Sequence, residues 1–172
     1  MSDITSYLPY LLEQAIATES ILELGTRGGS STSVLLLSRV EAQRGKVISV
    51  DIDPECSRQV AERLGPLTKY WQFIHGDSTD SSVIEQIKLQ GPFGLIFVDS
   101  SHEASQTTIE LNEYSQMVLP GGKMIFHDTE EENIYWNAGV RKPLFNFLST
   151  HPEFILERDV SFSHGMTTIR KQ

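Results

Sequence analysis

Residues 21–33 read Ile21-Leu22-Glu23-Leu24-Gly25-Thr26-Arg27-Gly28-Gly29-Ser30-Ser31-Thr32-Ser33: the end of a buried strand, a glycine-bearing turn, and hydroxyl residues opening a helix. Gly25 lets the backbone leave the strand at an angle that a side chain would block, and Gly28 and Gly29 let a ligand come close to the main chain. The helix start then offers free N–H groups to an anionic group, with Ser30, Ser31 and Thr32 as caps or hydroxyl donors. Alone, this is also how an ordinary α/β turn reads, so its meaning depends on what surrounds it.

Outward from the turn, short β-rich apolar runs alternate with helical stretches. The pattern predicts strands at 21–24, 46–52, 71–75, 94–99 and 123–127, and helices at 4–18, 30–43, 55–64, 80–89, 103–118 and 138–149. Strict alternation implies an α/β protein with a parallel sheet, right-handed crossovers and helices on both faces. The tail departs from this rule. Only Ser163 and His164 separate the runs 153–162 and 165–171, too few residues for a helical crossover, so these should pair as an antiparallel hairpin. No repeat, low-complexity segment or linker interrupts the chain, and residues 1–172 read as a single domain.

Composition sets the outer bounds. A chain of 172 residues with 39% apolar and 22% charged residues can bury a real core without staples. No apolar run approaches the roughly 18 residues of a membrane span, and residues 1–14 lack the basic flank and apolar core of a signal peptide, so a cytoplasmic protein with no membrane partner is expected. The single Cys56 excludes an internal disulfide framework and a Cys-based zinc site. A net charge of −9 argues against a duplex-binding surface and hence against a nucleic-acid partner.

Where the carboxylates fall is more informative than their number. Asp51 ends the second strand, where an acid accepts hydrogen bonds from ribose hydroxyls. Asp53, before Pro54, reads as a helix cap. The third strand ends His75-Gly76-Asp77-Ser78, with Asp77 suited either to an adenine amino group or to capping the next helix. The fourth and fifth strands end Phe97-Val98-Asp99-Ser100-Ser101-His102 and Ile125-Phe126-His127-Asp128-Thr129. Asp99 and Asp128 would come from adjacent strands, and two carboxylates held together repel unless a metal or a shared proton lies between them.

At these residues the chain resembles the class I S-adenosylmethionine-dependent methyltransferases, across nearly its whole length. Glu23-Leu24-Gly25-x-x-x-Gly29 looks like their first motif, Asp51 like their ribose-binding acid, and Asp77 like their adenine-side acid. Leu119-Pro120-Gly121-Gly122 leads into the fifth strand as their post-motif does, and the terminal hairpin resembles their reversed last strand. The resemblance implies a Rossmann-like, doubly wound seven-stranded sheet of order 3-2-1-4-5-7-6 with the last strand antiparallel. It also implies a cofactor site formed by Glu23, Gly25, Thr26, Arg27, Gly28, Gly29, Ser31, Asp51, Asp77, Ser78 and Asp99, with Glu23 orienting the cofactor's ammonium group.

The last two strand tips look like those of the metal-dependent O-methyltransferases, and more closely like the sugar O-methyltransferases and the cephalosporin-hydroxylase-like group. That resemblance implies Asp99 and Asp128 as ligands of Mg2+ or Mn2+ and His102 as the general base. The chain carries His127 where the sugar enzymes often have a carboxylate, and Thr129 where the catechol-like enzymes have Asn. His127 as a third ligand would favour manganese or iron over magnesium, while as a non-ligand it would face substrate or stand behind the acids. The expected reaction is removal of a hydroxyl proton by His102, beside Asp99, followed by in-line attack on the sulfonium methyl.

The acceptor expected is a small hydroxylated molecule. Closure of its pocket falls to the N-terminal helix with Tyr7 and Tyr10, to the loop 129–139 with Tyr135 and Trp136, or to a second subunit of a homodimer. Two other readings are a non-catalytic or partner-dependent S-adenosylmethionine-binding protein and a nicotinamide oxidoreductase.

Overall fold

Strand β1 (Ser20–Leu24) lies at the centre of a sheet completed by β2 (Lys46–Asp51), β3 (Trp71–His75), β4 (Phe93–Val98), β5 (Val118–His127), β6 (Phe154–Val160) and β7 (Met166–Lys171). The computed structural model describes residues 3–172, with side chains for all of these except Asp3 and Trp136. The spatial order is β3-β2-β1-β4-β5-β7-β6. The first five strands pair in parallel, and β7 runs antiparallel to both β5 and β6. The expected Rossmann-like topology is therefore the one observed. The chain winds from β1 towards β3, then returns to β4 on the other side of β1. That reversal leaves a crevice above the carboxyl ends of β1 and β4.

The strands are apolar throughout because both faces are covered. Successive residues serve opposite layers. Leu22, Leu24, Ile48, Val50, Ile96, Val98, Met124 and Phe126 pack with Val83, Ile84, Ile87, Leu111, Tyr114, Leu144 and Phe147. These last come from α4 (Ser81–Lys88), α5 (Ala104–Tyr114) and α7 (Lys142–Thr150). On the other face Ile21, Val47, Leu95, Phe97 and Ile125 pack with Leu11, Ala15, Leu35 and Leu36, from α1 (Leu8–Ile16) and α2 (Ser30–Ala42). Remaining elements are α3 (Glu55–Leu64), the short helical turn α6 (Ile134–Trp136) and a π-helical turn at Asn137–Arg141 that runs into α7. Among the described residues no helix is long and apolar enough to cross a membrane.

Several boundaries differ from the sequence pattern. The helix expected over 103–118 ends at Tyr114, and β5 begins at Val118 rather than at 123, because Leu119–Gly122 form a bulge between the Phe93 and Leu95 pairings. The helix expected at 4–18 begins with a 3-10 turn, Asp3–Tyr7. In α2 the buried face includes Arg39, not Leu37 or Val40. The Arg39 guanidinium donates to the carbonyls of Ala15 and Thr18 and so satisfies the carboxyl end of α1.

Candidate active site

Every strand tip singled out in the sequence reaches the same crevice. Two adjoining cavities occupy it, of about 270 Å³ and about 430 Å³, both bordered by Gly25, Asp51 and Ser100. The smaller is walled further by Ile52, Asp77, Ser78 and Gln106, the larger by Arg27, Cys56, Asp99, His102 and Asp128. Together they form an open groove of the size that small ligands use.

The glycine turn is held to the second strand by Asp51. Its Oδ2 accepts hydrogen bonds from the N–H groups of Thr26 at 2.7 Å and Arg27 at 2.9 Å, and its Oδ1 accepts from Asp53 N–H at 2.9 Å. Gly25, at φ +92°, brings the turn so close to β4 that a Cβ there would overlap the Asp99 carbonyl. Gly29 takes the left-handed conformation, φ +75°, immediately before α2. Asp53 caps α3 as expected, its Oδ1 accepting from Glu55 N–H at 2.9 Å. Thr26 is buried, and its hydroxyl has no partner among the described residues. Gly28 has space beside its Cα, and its carbonyl accepts a hydrogen bond from Arg63.

Two residues of the expected cofactor set lie beneath the loop rather than in the groove. Glu23 is completely buried and accepts hydrogen bonds from Ser31 Oγ at 2.6 Å, Thr32 Oγ1 at 2.8 Å and Ser49 Oγ at 2.5 Å. Burial pushes its carboxyl up to about 7 against the opposing pull of those hydroxyls. Ser31 is spent on the same cage. On the third strand, Asp77 Oδ1 accepts from Thr79 N–H and Oγ1 at 2.8 and 2.7 Å, while Asp80, not Asp77, caps α4. Cys56 is buried at the groove wall with its thiol pushed up to about 12 by burial, in keeping with a packing role.

The last two strand tips form a chain of acids and imidazoles. His102 Nε2 lies 2.6 Å from Asp128 Oδ2; His127 Nδ1 lies 3.2 Å from that same oxygen and 3.3 Å from Asp99 Oδ1. His127 is buried, and although burial works to lower its pKa, the Asp128 and Asp99 carboxylates raise it to about 10. The direction of that shift favours a proton on His127, a counter-charge for the two acids, although neither ring nitrogen has hydrogen-bond geometry to a partner among the described residues. Asp128 is buried too, but the hydrogen bond to His102 and the nearby His127 ring overcome that penalty and hold its carboxyl well below the usual carboxylate range. Donor atoms of Asp99, His102 and Asp128 lie within 4.8 Å of one another, a grouping able to hold a metal ion; His127 is not part of that group.

Neighbouring segments frame this chain. The Tyr135 ring, 56% exposed, meets His102 edge-on at 5.9 Å, and Tyr7 meets His127 in the same way at 5.9 Å, so the 129–139 loop and the N-terminal segment both reach the site. Tyr10 instead hydrogen-bonds Thr168 and stacks under Arg158. The Trp136 side chain lies outside what is described. Gly139, in the π-helical turn, packs so tightly that a Cβ would overlap the His102 carbonyl. Arg141 fixes that turn through paired bonds of 2.8 and 2.7 Å to Asp159 and a third to the Thr129 carbonyl.

Sequence reasoning passed over Gly139, Gln106 and Glu110. The signal for Glu110 was present: it falls between Thr107, Leu111 and Tyr114 on the buried stripe of α5, whereas the apolar Ile109 is 40% exposed.

Comparison with known proteins agrees with the geometry. Among solved structures, an O-methyltransferase from Bacillus cereus in complex with SAH superposes with a TM-score of 0.78 at 18% identity, over 98% of this chain and 81% of that one. TomG, a Streptomyces achromogenes O-methyltransferase involved in tomaymycin synthesis and solved with SAM, gives 0.74 at 16% identity, over 100% and 81%. The SAH-bound methyltransferase PaMTH1 of Podospora anserina gives 0.71 at 19%, over 96% and 77%. At such identities these likenesses establish the fold. A search of curated protein sequences returns no match. Residues 22–129, from the heart of β1 to the end of the fifth-strand motif, match the family model described as a methyltransferase domain, and since this is well over half of the chain, the protein belongs to that family.

Proposed function

We propose that the protein is an S-adenosylmethionine-dependent O-methyltransferase acting on a hydroxyl of a small molecule, with His102 as the general base. The observation that carries this reading is the His102–Asp128 pair, 2.6 Å apart, at the mouth of a groove that runs to the Asp51 and Asp77 strand tips. The groove's lining suits the cofactor: the Asp51, Asp77 and Asp99 carboxylates stand where ribose hydroxyls and a cationic amino acid end can be met, beside the close-packed glycine turn at Gly25. When bound, the cofactor supplies a methyl group already activated on a sulfonium, so no covalent enzyme intermediate is required.

The chain's own residues then have three tasks. Asp51 holds the glycine turn in its receptive shape through the Thr26 and Arg27 amides. His102 accepts the hydroxyl proton on an imidazole nitrogen, and Asp128, kept ionised by its two imidazole neighbours, orients the ring and balances the charge it acquires. Tyr135 offers an aromatic edge beside His102 against which an acceptor can lie, keeping water from the reacting oxygen.

A divalent cation is the second reading, favoured by the convergence of Asp99, His102 and Asp128. These three would hold it, and it would supply Lewis acidity that lowers the pKa of an acceptor hydroxyl. The mixed oxygen and nitrogen donors suit manganese better than magnesium, and the His127 ring lies outside the group of converging donor atoms. Methyl transfer from labelled S-adenosylmethionine to a panel of hydroxylated acceptors, before and after chelation, tests both. Turnover that survives chelation and disappears in His102→Ala supports the dyad, loss on chelation with rescue by Mn2+ supports the cation, and failure to bind S-adenosylhomocysteine sinks the cofactor assignment.

A further inference from the structure

Beneath the smaller cavity lies a carboxylate with no assigned task. Glu110 is completely buried, and its Oε1 accepts hydrogen bonds from Ser78 Oγ at 2.5 Å and Ser100 Oγ at 2.7 Å, while its Oε2 has no partner among the described residues. Ser78 is held from the other side by the Tyr114 hydroxyl, which donates to its carbonyl at 2.6 Å. A serine hydroxyl has one proton, and that of Ser78 goes to Glu110. The Ser78 oxygen is therefore left with lone pairs, and one of them receives Gln106 Nε2–H at 3.1 Å; the same nitrogen lies 3.5 Å from Glu110 Oε1.

This arrangement leaves one orientation for the Gln106 amide. Rotating it by half a turn would set its carbonyl against a carboxylate oxygen and a hydroxyl lone pair, an acceptor facing acceptors in a buried place. With the amide nitrogen committed inward, the side-chain carbonyl is the end left for a ligand, and no described residue donates to it. Gln106 lines the cavity beside Asp77, Ser78 and Ile52.

Resting on the cofactor reading above, we infer that Gln106 is the residue that reads the purine: its carbonyl accepts from the 6-amino group of adenine and repels the oxygen of a 6-oxo base. Glu110 is the positioning residue that fixes the amide. Asp77 is the competing acceptor at this end of the groove, but its Oδ1 is already engaged by Thr79.

The test is calorimetric binding of S-adenosylhomocysteine and S-inosylhomocysteine to the wild-type chain, Gln106→Leu, Glu110→Leu and Asp77→Asn, each checked for folding by thermal melting. The wild-type protein should prefer the adenine ligand by about tenfold or more. In Gln106→Leu the preference should fall towards unity through weaker binding of the adenine ligand alone, and Glu110→Leu should follow it. Preference kept in folded Gln106→Leu, or lost in Asp77→Asn alone, overturns the assignment while the cofactor reading stands. If the folded wild-type protein binds neither ligand, the cofactor reading falls and this inference falls with it. Should Glu110→Leu fail to fold, Gln106→Leu alone decides.

Discussion

His102 from the end of β4 and Asp128 from the end of β5 meet at 2.6 Å, and Asp128 achieves this with a left-handed backbone, φ +59°. Such a conformation is disfavoured for a residue with a side chain, and here it turns the carboxylate back towards the neighbouring strand tip. The pair should then act as a unit. Replacing His102 with Ala is expected to lower kcat by roughly 10²- to 10⁴-fold while S-adenosylhomocysteine affinity stays unchanged. Asp128→Asn should produce a comparable loss, and the double variant little more than either. Steady-state kinetics on the three variants checks this; additive losses would mean that the two side chains work independently.

Gly139 gives a subtler handle on the same geometry. Any side chain there meets the His102 carbonyl, so Gly139→Ala must displace either the π-helical turn or the His102 backbone. A displacement of about 1 Å at a reacting group costs about 10²-fold in rate. Turnover should fall by that order with cofactor affinity largely intact, because Gly139 touches the His102 backbone and lines neither cavity. Equal loss of cofactor binding would point to general unfolding instead.

Asp51 carries a separate expectation. Asp51→Ala removes the acceptor for the Thr26 and Arg27 amides, so the turn should loosen even without ligand. Hydrogen exchange at these two amides should accelerate, and cofactor affinity should drop by at least about tenfold, the order of one lost charged hydrogen bond. Unchanged exchange alongside weakened binding would assign Asp51 to ligand contact alone.

What the sequence made legible, and what it hid, follows from the range of the interactions. The β1 turn, the acids at the strand tips and the two-residue gap before the last strand are local patterns, and each predicted its element, while the order of strands in the sheet came from the family resemblance. Asp99, His102 and Asp128 come together because strand tips share one edge in this topology. The cage around Glu23 was hidden because Ser49 lies on a neighbouring strand, and only pairing with β1 brings its hydroxyl to the carboxylate. His127 was read as a ligand or as a residue behind the acids. Its burial between two carboxylates depends on register between β4 and β5, which no motif spells out.

Glu23 itself yields a prediction about pH. Its carboxyl, at about 7 in the folded protein against an ordinary 4.5, keeps a proton that the unfolded chain gives up in between. Folding is therefore favoured by this group fully below about pH 4.5, and the contribution is lost as pH rises towards 7. At 1.36 kcal/mol per unit, the loss is on the order of 3 kcal/mol. Asp128 has the opposite sign, its depressed pKa adding stability that disappears only in strong acid, so the two must be separated by mutation. Glu23→Gln has no proton to lose and keeps the shape of the cage. Urea unfolding at pH 5 and pH 8 should show the variant gaining on the wild-type protein by that order as pH rises. A constant difference between the two would mean that Glu23 is already ionised throughout, held by its three hydroxyl donors.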